Sequence, residues 1–335
     1  VSDVRLAVFG AGAVGSSVAT LAAEYGHEVV ALADSSSAAL DSDDTFDSDT
    51  DGIDPAAALA RKREGAGLGP NDPSDALAVD YDVLVEATPT TLGDAQPGFG
   101  HVETALDRDR HVVLANKGPV AERYADVRAL EADSEGSVLF EATVGGAIPV
   151  LATVSDLGAA RVDAVRGVLN GTANFVLSRM AAEGLGYEHV LAEAQDLGVA
   201  EADPSFDVQG TDAALKCVIL ANCLREANCG DVSELREREV TLEDAEVAGI
   251  EEIPASTLDL AAEDGQTVRL VGEATRDGVR VGPRLVPENG TLAVSGTRNI
   301  VEIETEHAGQ LAISGRGAGG DETASAILSD VGRLP

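Results

Sequence analysis

The sequence has no tryptophan, one methionine and only 3% aromatic residues, yet 44% of it is hydrophobic. Its core must therefore be built from valine, leucine, alanine and isoleucine. Basic residues are also scarce: 23 Lys and Arg stand against 59 Asp and Glu, for a formal net charge of −36. That excludes a general nucleic-acid binder, which needs Lys and Arg to displace the counterions of the phosphate backbone. No segment reaches the ~18 uninterrupted apolar residues of a membrane span, and no basic region followed by an apolar one suggests a signal peptide. These absences predict a soluble, cytoplasmic protein. Cysteine is limited to Cys217, Cys223 and Cys229. An odd count without a CxxC spacing indicates neither a disulfide framework nor a zinc site.

What is present in excess is acid. Periodic apolar segments argue against general disorder, so the charge reads as a solvated acidic shell of the kind suited to a very salty cytoplasm. High salt would screen the self-repulsion of such a surface. The acids crowd residues 41–51 (DSDDTFDSDTD), read as a mobile loop, and 231–256, read as a solvated link. At 335 residues the chain is long enough for two domains.

Residues 4–9 (VRLAVF) read as a buried strand running into Gly10, Gly12 and Gly15 of GAGAVG, then into a helix of small residues. A second strand at 28–33 ends at Asp34, which lies 19 residues beyond Gly15. Strand, GxGxxG, helix, strand and acid together form the dinucleotide-binding fingerprint in its required context. The glycines let backbone approach a pyrophosphate, and the helix start offers it free N–H groups. Asp34 suits the ribose hydroxyls of NAD. Lys62 and Arg63, in a later helical stretch, either reach a 2′-phosphate or form an ordinary solvated helix end. Strands at 82–87 and 111–115 end in Thr88-Pro89-Thr90 and Asn116-Lys117-Gly118, and strand ends of this kind are where a doubly wound sheet keeps its site. The loop around Gly93–Gly100 carries no evident chemistry.

Beyond residue 138 the texture changes. In 138–150 (VLFEATVGGAIPV), Glu141 stands among apolar residues and glycines, either capping a helix or ordering carbonyls around a cation. A strand at 161–169, a turn at Asn170-Gly171-Thr172 and a helix follow. Apolar alternation at 268–273, 279–286, 291–294, 300–304 and 310–313 predicts a second, open-faced sheet. Between these parts, residues 198–216 gather Glu201, Asp203, Asp207 and Asp212 around Lys216, ahead of an apolar run. Asp212 and Lys216 share one helix face. A lysine on so apolar a helix is costly unless paired or functional, and a surface ion pair is the alternative. Gly315, Gly317, Gly319 and Gly320 precede a last helix, as a second ligand-facing helix start or as a flexible tail.

Taken in order, GAGAVG (10–15), ATPT (87–90), LANKGP (114–119), EATVGGAIPV (141–150), GVLNGTANFVLSRM (167–180), DLGVAEADPSFDVQGTDAALK (196–216) and GRGAGGDETA (315–324) resemble homoserine dehydrogenase over nearly the whole chain. The resemblance implies NAD(P)-dependent interconversion of L-homoserine and L-aspartate 4-semialdehyde, on the route to threonine and methionine. It implies an α/β fold: a doubly wound parallel (Rossmann) nucleotide-binding domain over 1–130, completed by 310–335, and an α+β substrate and dimerisation domain over 131–309. By position, Lys216 matches the proton donor and Lys117 a second lysine near the reacting oxygen. Glu201 and Asp212 match the acids that hold the substrate, with Asp207 assisting. Gly10, Gly12, Ala13, Val14, Gly15, Asp34, Thr88, Lys117, Gly198, Gly317 and Gly319 fall on the cofactor, NAD or NADP. Glu141, Val144, Gly146 and Ile148 match a site for a monovalent cation, sodium or potassium. A homodimer is implied, with a small molecule as substrate.

Two departures stand out. Ser35 follows Asp34 where many relatives have arginine, which weakens the case for NADP, and the chain stops soon after the GAGG segment, so a C-terminal regulatory domain is not expected. The alternative is another amino-acid or semialdehyde dehydrogenase on this fold; an aspartate-semialdehyde dehydrogenase that makes the acyl phosphate would need a nucleophilic cysteine at a loop or helix start, and all three cysteines follow Lys216 in or near one apolar helix. A cofactor-binding sensor could dispense with both lysines.

Overall fold

The computed structural model of the chain describes residues 4–41 and 52–335, so of the acidic stretch 41–51 all but Asp41 lies outside the described residues. Two compact units form, one of Val1–Ala147 with Gly319–Pro335 and one of Ile148–Ala318.

The first unit alternates strands and helices: β1 (Val4–Phe9), α1 (Ala13–Leu21), β2 (His27–Ala33), β3 (Ala38–Leu40), α2 (Pro55–Arg63), β4 (Val83–Glu86), α3 (Gly98–Leu106), β5 (His111–Leu114), α4 (Gly118–Glu122), α5 (Tyr124–Ala132) and β6 (Val138–Leu139). Their sheet order is β3-β2-β1-β4-β5-β6. All neighbours are parallel except β3, which runs antiparallel to β2. Leu6, Val8, Leu32, Val83, Val85 and Val113 are buried, as expected for strands covered on both faces. The C-terminal helix, Gly320–Val331, closes this unit by packing Ala324, Ile327, Leu328 and Val331 into the core that contains Val18 and Ala19 of α1 and Ala22 just after it. The order reverses between β1 and β4, and open α/β sheets bind ligands at such a switch point, beyond the carboxyl ends of the strands.

The second unit contains α6 (Val150–Leu157), β7 (Val162–Val168), α7 (Gly171–Glu183), α8 (Tyr187–Asp196), α9 (Ser205–Val208), α10 (Thr211–Glu226), α11 (Val232–Arg238), β8 (Glu246–Val247), α12 (Ala255–Glu263), β9 (Gln266–Thr275), β10 (Val279–Pro287), β11 (Arg298–Thr305) and β12 (Gly309–Arg316). Its sheet runs β12-β11-β7-β9-β10-β8, antiparallel apart from the β10–β8 pair. Helix α10 is buried over almost its whole circumference, from Asp212 to Asn222 and again at Leu224. That matches its nearly unbroken apolar sequence. Away from the core, Arg166 of β7 bridges Glu273 of β9 and Glu304 of β11 at 2.6 and 2.5 Å, an ion-pair ladder across three strands.

Two expectations change here. Residues 291–294 form no strand. Gly290 N–H donates to Pro287 O and Ala293 N–H to Gly290 O, so consecutive turns fill the span between β10 and β11. The acidic stretch 231–256 is more structured than a solvated link. Asp231 caps α11 by accepting from Glu234 N–H at 2.9 Å, Leu235 is buried, and β8 adds an edge to the sheet.

Candidate active site

Gly10 leaves β1 with φ +101°, and a Cβ there would lie 2.3 Å from the carbonyl oxygen of Ala87. A Cβ on Gly15 would lie 1.7 Å from Gly10 O, so α1 can start this close to β1 only with glycine at 15, and the end of β1 can pass Ala87 only with glycine at 10. In front of Gly12 there is open space: its Cβ would meet nothing within 4 Å. Gly12 and Ala13 are exposed and Val14 is half-buried, and no side chain caps the start of α1. This is the cradle a pyrophosphate fits, with first-turn N–H groups and the positive end of the helix dipole open to it. Gly320 begins the C-terminal helix against the same turn, where its Cβ would come within 3.1 Å of Ala13 O and 2.8 Å of Ser17 Oγ.

Asp34, just past β2, accepts from Ser36 N–H at 2.9 Å, Ser36 Oγ at 2.8 Å and Ser37 N–H at 3.0 Å. Its other oxygen pairs with Lys62 Nζ at 2.9 Å, and Lys62 also donates to Ala11 O at 2.9 Å. Partial burial pushes the Asp34 carboxyl up. The hydrogen bonds from Lys62 and Ser36, with the Lys62 charge, outweigh it and bring the pKa down to about 2.

At the end of β4 lies a carboxylate that sequence reasoning missed. Glu86 is fully buried. One oxygen accepts from Thr88 N–H at 2.9 Å, from the Thr88 hydroxyl and from Asn116 Nδ2 at 3.4 Å. The other meets His101 Nδ1 of α3 at 2.5 Å, and the His101 ring packs at a tilt of 46° against Phe9 with centroids 4.7 Å apart. Asn116 also donates to Thr88 Oγ1 at 3.1 Å and accepts from Gly118 N–H at 2.9 Å, while Lys117 N–H donates to Thr90 Oγ1 at 3.3 Å. Glu86 thus ties the segment after β4, which carries Thr88, to the segment after β5, which carries Lys117. An acid ending an otherwise apolar strand (VLVE) was the available signal. Its partner lay beyond the loop read as empty of chemistry.

In the second unit Lys216 and Asp212 are both buried and pair at 2.7 Å. Lys216 Nζ also donates to Leu169 O at 2.7 Å, which leaves its third N–H without a partner among the described residues. Asn170 caps α7 by accepting from Ala173 N–H at 2.8 Å. Its amide donates to Asp212 at 3.0 Å and to Asp207 at 2.6 Å. Asp207 therefore joins the cluster through Asn170, a residue the sequence showed only as part of a turn. Glu201 and Asp203 do not gather on the lysine. Glu201 is exposed, and Asp203 accepts from its neighbour Ser205. The surface ion-pair alternative fails, since the Lys216–Asp212 pair lies in the core. Cys217, next in the chain, is fully buried, and burial pushes its thiol up to about 12, far from nucleophilic.

Gly198 ends the turn after α8 with φ +69°. Glu141, in the first unit, is buried in a short turn whose N–H donates to Asp330 at 2.8 Å, and its carbonyl accepts from Val144 and Gly145 N–H. Val144 is buried and Gly146 has φ +55°. In the second unit, Ile148 O accepts from Val150 N–H at 2.8 Å.

A pyrophosphate cradle with an acid at the end of β2, and on the other unit a buried lysine with one uncommitted N–H, define the class. The chain is an oxidoreductase that uses a nicotinamide dinucleotide. Family models agree: homoserine dehydrogenase, NAD binding domain, matches residues 10–141, and homoserine dehydrogenase matches residues 149–331. A homoserine dehydrogenase of Methanocaldococcus jannaschii is 39% identical over 316 residues, 91% of this chain and 88% of its own. An NAD(+)-dependent homoserine dehydrogenase of Pseudomonas canavaninivorans is 38% identical over 257 residues, 75% of this chain and 70% of its own. The solved structure of a candidate homoserine dehydrogenase from Archaeoglobus fulgidus superposes with a TM-score of 0.84 at 39% identity, covering 98% of each chain. The chain belongs to the homoserine dehydrogenase family.

Proposed function

We propose that the chain interconverts L-homoserine and L-aspartate 4-semialdehyde with NAD or NADP, in the synthesis of threonine and methionine. The observation that carries this reading is the seat of Lys216: a buried ammonium with two N–H groups committed and the third left for a reacting oxygen. The bound dinucleotide would supply or accept the hydride. Gly10, Gly12, Ala13, Val14 and Gly15 hold its pyrophosphate, and the open space in front of Gly12 supports this. Asp34 takes the adenosine ribose, and Thr88 and Lys117 border the nicotinamide end, with Gly198, Gly317 and Gly319 completing the cofactor contacts. Lys216 protonates the carbonyl oxygen in reduction and takes the hydroxyl proton in oxidation. Lys117 stabilises the developing alkoxide charge. Asp207 and Asp212, oriented by Asn170, offer carboxylates to the substrate ammonium, and Glu201 adds a third.

A sodium or potassium ion is held by the segment of Glu141, Val144, Gly146 and Ile148. One carboxylate and a run of carbonyl oxygens are the hard ligands such an ion takes. The first unit is the dinucleotide domain, and the second the substrate and dimerisation domain. The enzyme works as a cytoplasmic homodimer in a halophile. Support comes from the exposed apolar side chains Leu260 and Leu285 on the second unit, 63% and 59% accessible, and from the net charge of −36. Among the described residues no helix is long and apolar enough to cross a membrane. The test is absorbance at 340 nm with L-homoserine and either NAD or NADP in molar KCl. No turnover with either coenzyme would sink the assignment.

A further inference from the structure

Leu169 is the last residue before the Asn170 cap of α7, and its carbonyl oxygen receives two donors. Lys216 Nζ lies 2.7 Å away and Asn299 Nδ2 lies 2.9 Å away, and both contacts are buried. Asn299 stands near the start of β11, 2% exposed. A carbonyl can only accept, so the Asn299 amide must turn its nitrogen toward Leu169. That leaves Asn299 Oδ1 buried with no hydrogen-bond partner. Stability alone does not select such an arrangement, since a buried acceptor without a donor carries a desolvation penalty that an apolar side chain of the same size avoids. The other side of the amide is closed by the chain itself: a Cβ on Gly317 would fall 1.8 Å from Asn299 Nδ2 and 2.4 Å from Cγ. Only glycine lets the strand that leaves β12 pass over this amide.

We infer that Asn299 is a positioning residue for Lys216, acting through the Leu169 carbonyl they share. Lys216 has three N–H groups and a flexible four-carbon stem, so the direction of its uncommitted N–H depends on where the other two are held. Asp212 fixes one, and it is itself fixed by helix α10 and by Asn170. Leu169 O fixes the second, but it sits where β7 gives way to α7, and it needs a further contact to hold its direction. Asn299 supplies that contact from a neighbouring strand. Gly317 matters here as well, because any side chain at that position would displace the amide.

This inference rests on the assignment of Lys216 as proton donor to the substrate oxygen. It is tested with Asn299→Ala and with the near-isosteric Asn299→Asp, which keeps the shape but offers no N–H to Leu169 O and takes over the test if the alanine variant does not fold. The readouts are kcat for homoserine oxidation, the solvent deuterium isotope effect on kcat, and the Kd for reduced coenzyme from its fluorescence. The expected result is a fall in kcat of about tenfold to a hundredfold, the scale of a misplaced catalytic group. The solvent isotope effect rises above that of the wild type, because proton transfer through a misdirected Lys216 becomes limiting, while the coenzyme Kd stays within about twofold, below the tenfold that one charge-assisted contact is worth. A kcat near that of the wild type would overturn the inference, and so would an equal loss of rate with an unchanged isotope effect, which marks general structural damage. A wild-type enzyme that does not oxidise homoserine at all would instead overturn the underlying assignment.

Discussion

Lys62 Nζ stands 2.9 Å from the Asp34 carboxylate and 2.9 Å from Ala11 O, so one ammonium joins the acid after β2 to the glycine loop after β1. Of the two roles open to the Lys62–Arg63 pair, an ordinary solvated helix end no longer describes Lys62. Asp34 alone would repel a 2′-phosphate, and Lys62 cancels that charge where the adenosine ribose binds in this fold. Lys62→Ala is therefore expected to weaken NADP about tenfold, the worth of one charge-assisted contact, and NAD by no more than about threefold. Fluorescence titration with each reduced coenzyme checks it, and equal losses for both would show that Lys62 only supports the loop.

The Lys216–Asp212 pair separates stability from chemistry. Breaking a buried pair at one end leaves the other charge uncompensated, at a cost of about 3–5 kcal/mol, whereas replacing both partners with apolar residues is often neutral. Lys216→Ala should therefore lose both stability and turnover, with turnover down about 10²–10⁴-fold. Lys216→Met combined with Asp212→Leu should regain stability and remain inactive. Urea denaturation alongside rate measurements reads both, and recovered activity in the double variant would remove Lys216 from the mechanism.

Glu86 predicts a coenzyme phenotype from a residue that reaches solvent nowhere. Glu86→Ala removes the acceptor for Thr88 N–H, Thr88 Oγ1 and Asn116, and leaves His101 without its carboxylate. The segments after β4 and β5 should both loosen, raising the coenzyme KM about tenfold or more while the homoserine KM changes less. Glu86→Gln keeps an acceptor for the Thr88 donors and should lose less. The reverse ranking of the two variants would contradict this reading.

How much of this was legible in sequence depended on how local the signal was. The fingerprint loop was readable because strand, glycines, helix and Asp34 follow one another in the chain, although the close approach that Gly10 permits is to Ala87, beyond that run. The Asp212–Lys216 pair was readable because a helix fixes the distance between residues four apart. Asn170, Asn299, Glu86 and His101 were not. Their partners lie on other strands and helices, and only the tertiary fold brings Asn299 of β11 to Leu169, or His101 of α3 to Glu86. Glu201 and Asp203 show the limit of reading contacts from closeness in sequence: Glu201 is exposed and Asp203 accepts from Ser205, so neither joins the buried Lys216–Asp212 pair. The stretch 291–294 had the alternation of a strand, but its Ala293 N–H closes a turn onto Gly290 O.

Asp330 gives a dependence on pH. Burial raises its pKa above the ordinary 3.8, against the opposing effect of the Glu141 N–H and of Arg333. With the folded value raised, the native state holds the proton more tightly than the unfolded chain. This group therefore favours folding most below pH 3.8 and loses that contribution as pH rises through its folded pKa. Asp330→Asn can still accept from Glu141 N–H and never ionises. It should melt higher than the wild type at pH 7, and the difference should vanish on approaching pH 4. Thermal melts across that range check it, and a variant less stable at pH 7 would mean that the Arg333 pair outweighs burial.

The net charge of −36 predicts a stability that depends on salt. With 59 acids on one chain, close carboxylates are unavoidable. The screening length is about 30 Å at 10 mM salt and about 3 Å at 1 M, so repulsion that spans the whole molecule in dilute buffer shrinks to contact range in molar KCl. The unfolded chain spreads the same charge over a larger volume, so repulsion penalises the compact state more and screening favours folding. Local pairs such as Arg166 with Glu273 and Glu304 lose part of their attraction in the same salt. The excess of acid over base, 36 charges, far exceeds what such pairs neutralise, so the repulsive part dominates. Tm should rise steadily from 10 mM to 2 M KCl, and replacing about ten surface acids by their amides should flatten that slope. A Tm that does not change with KCl would rule out the salt-adapted reading of this surface.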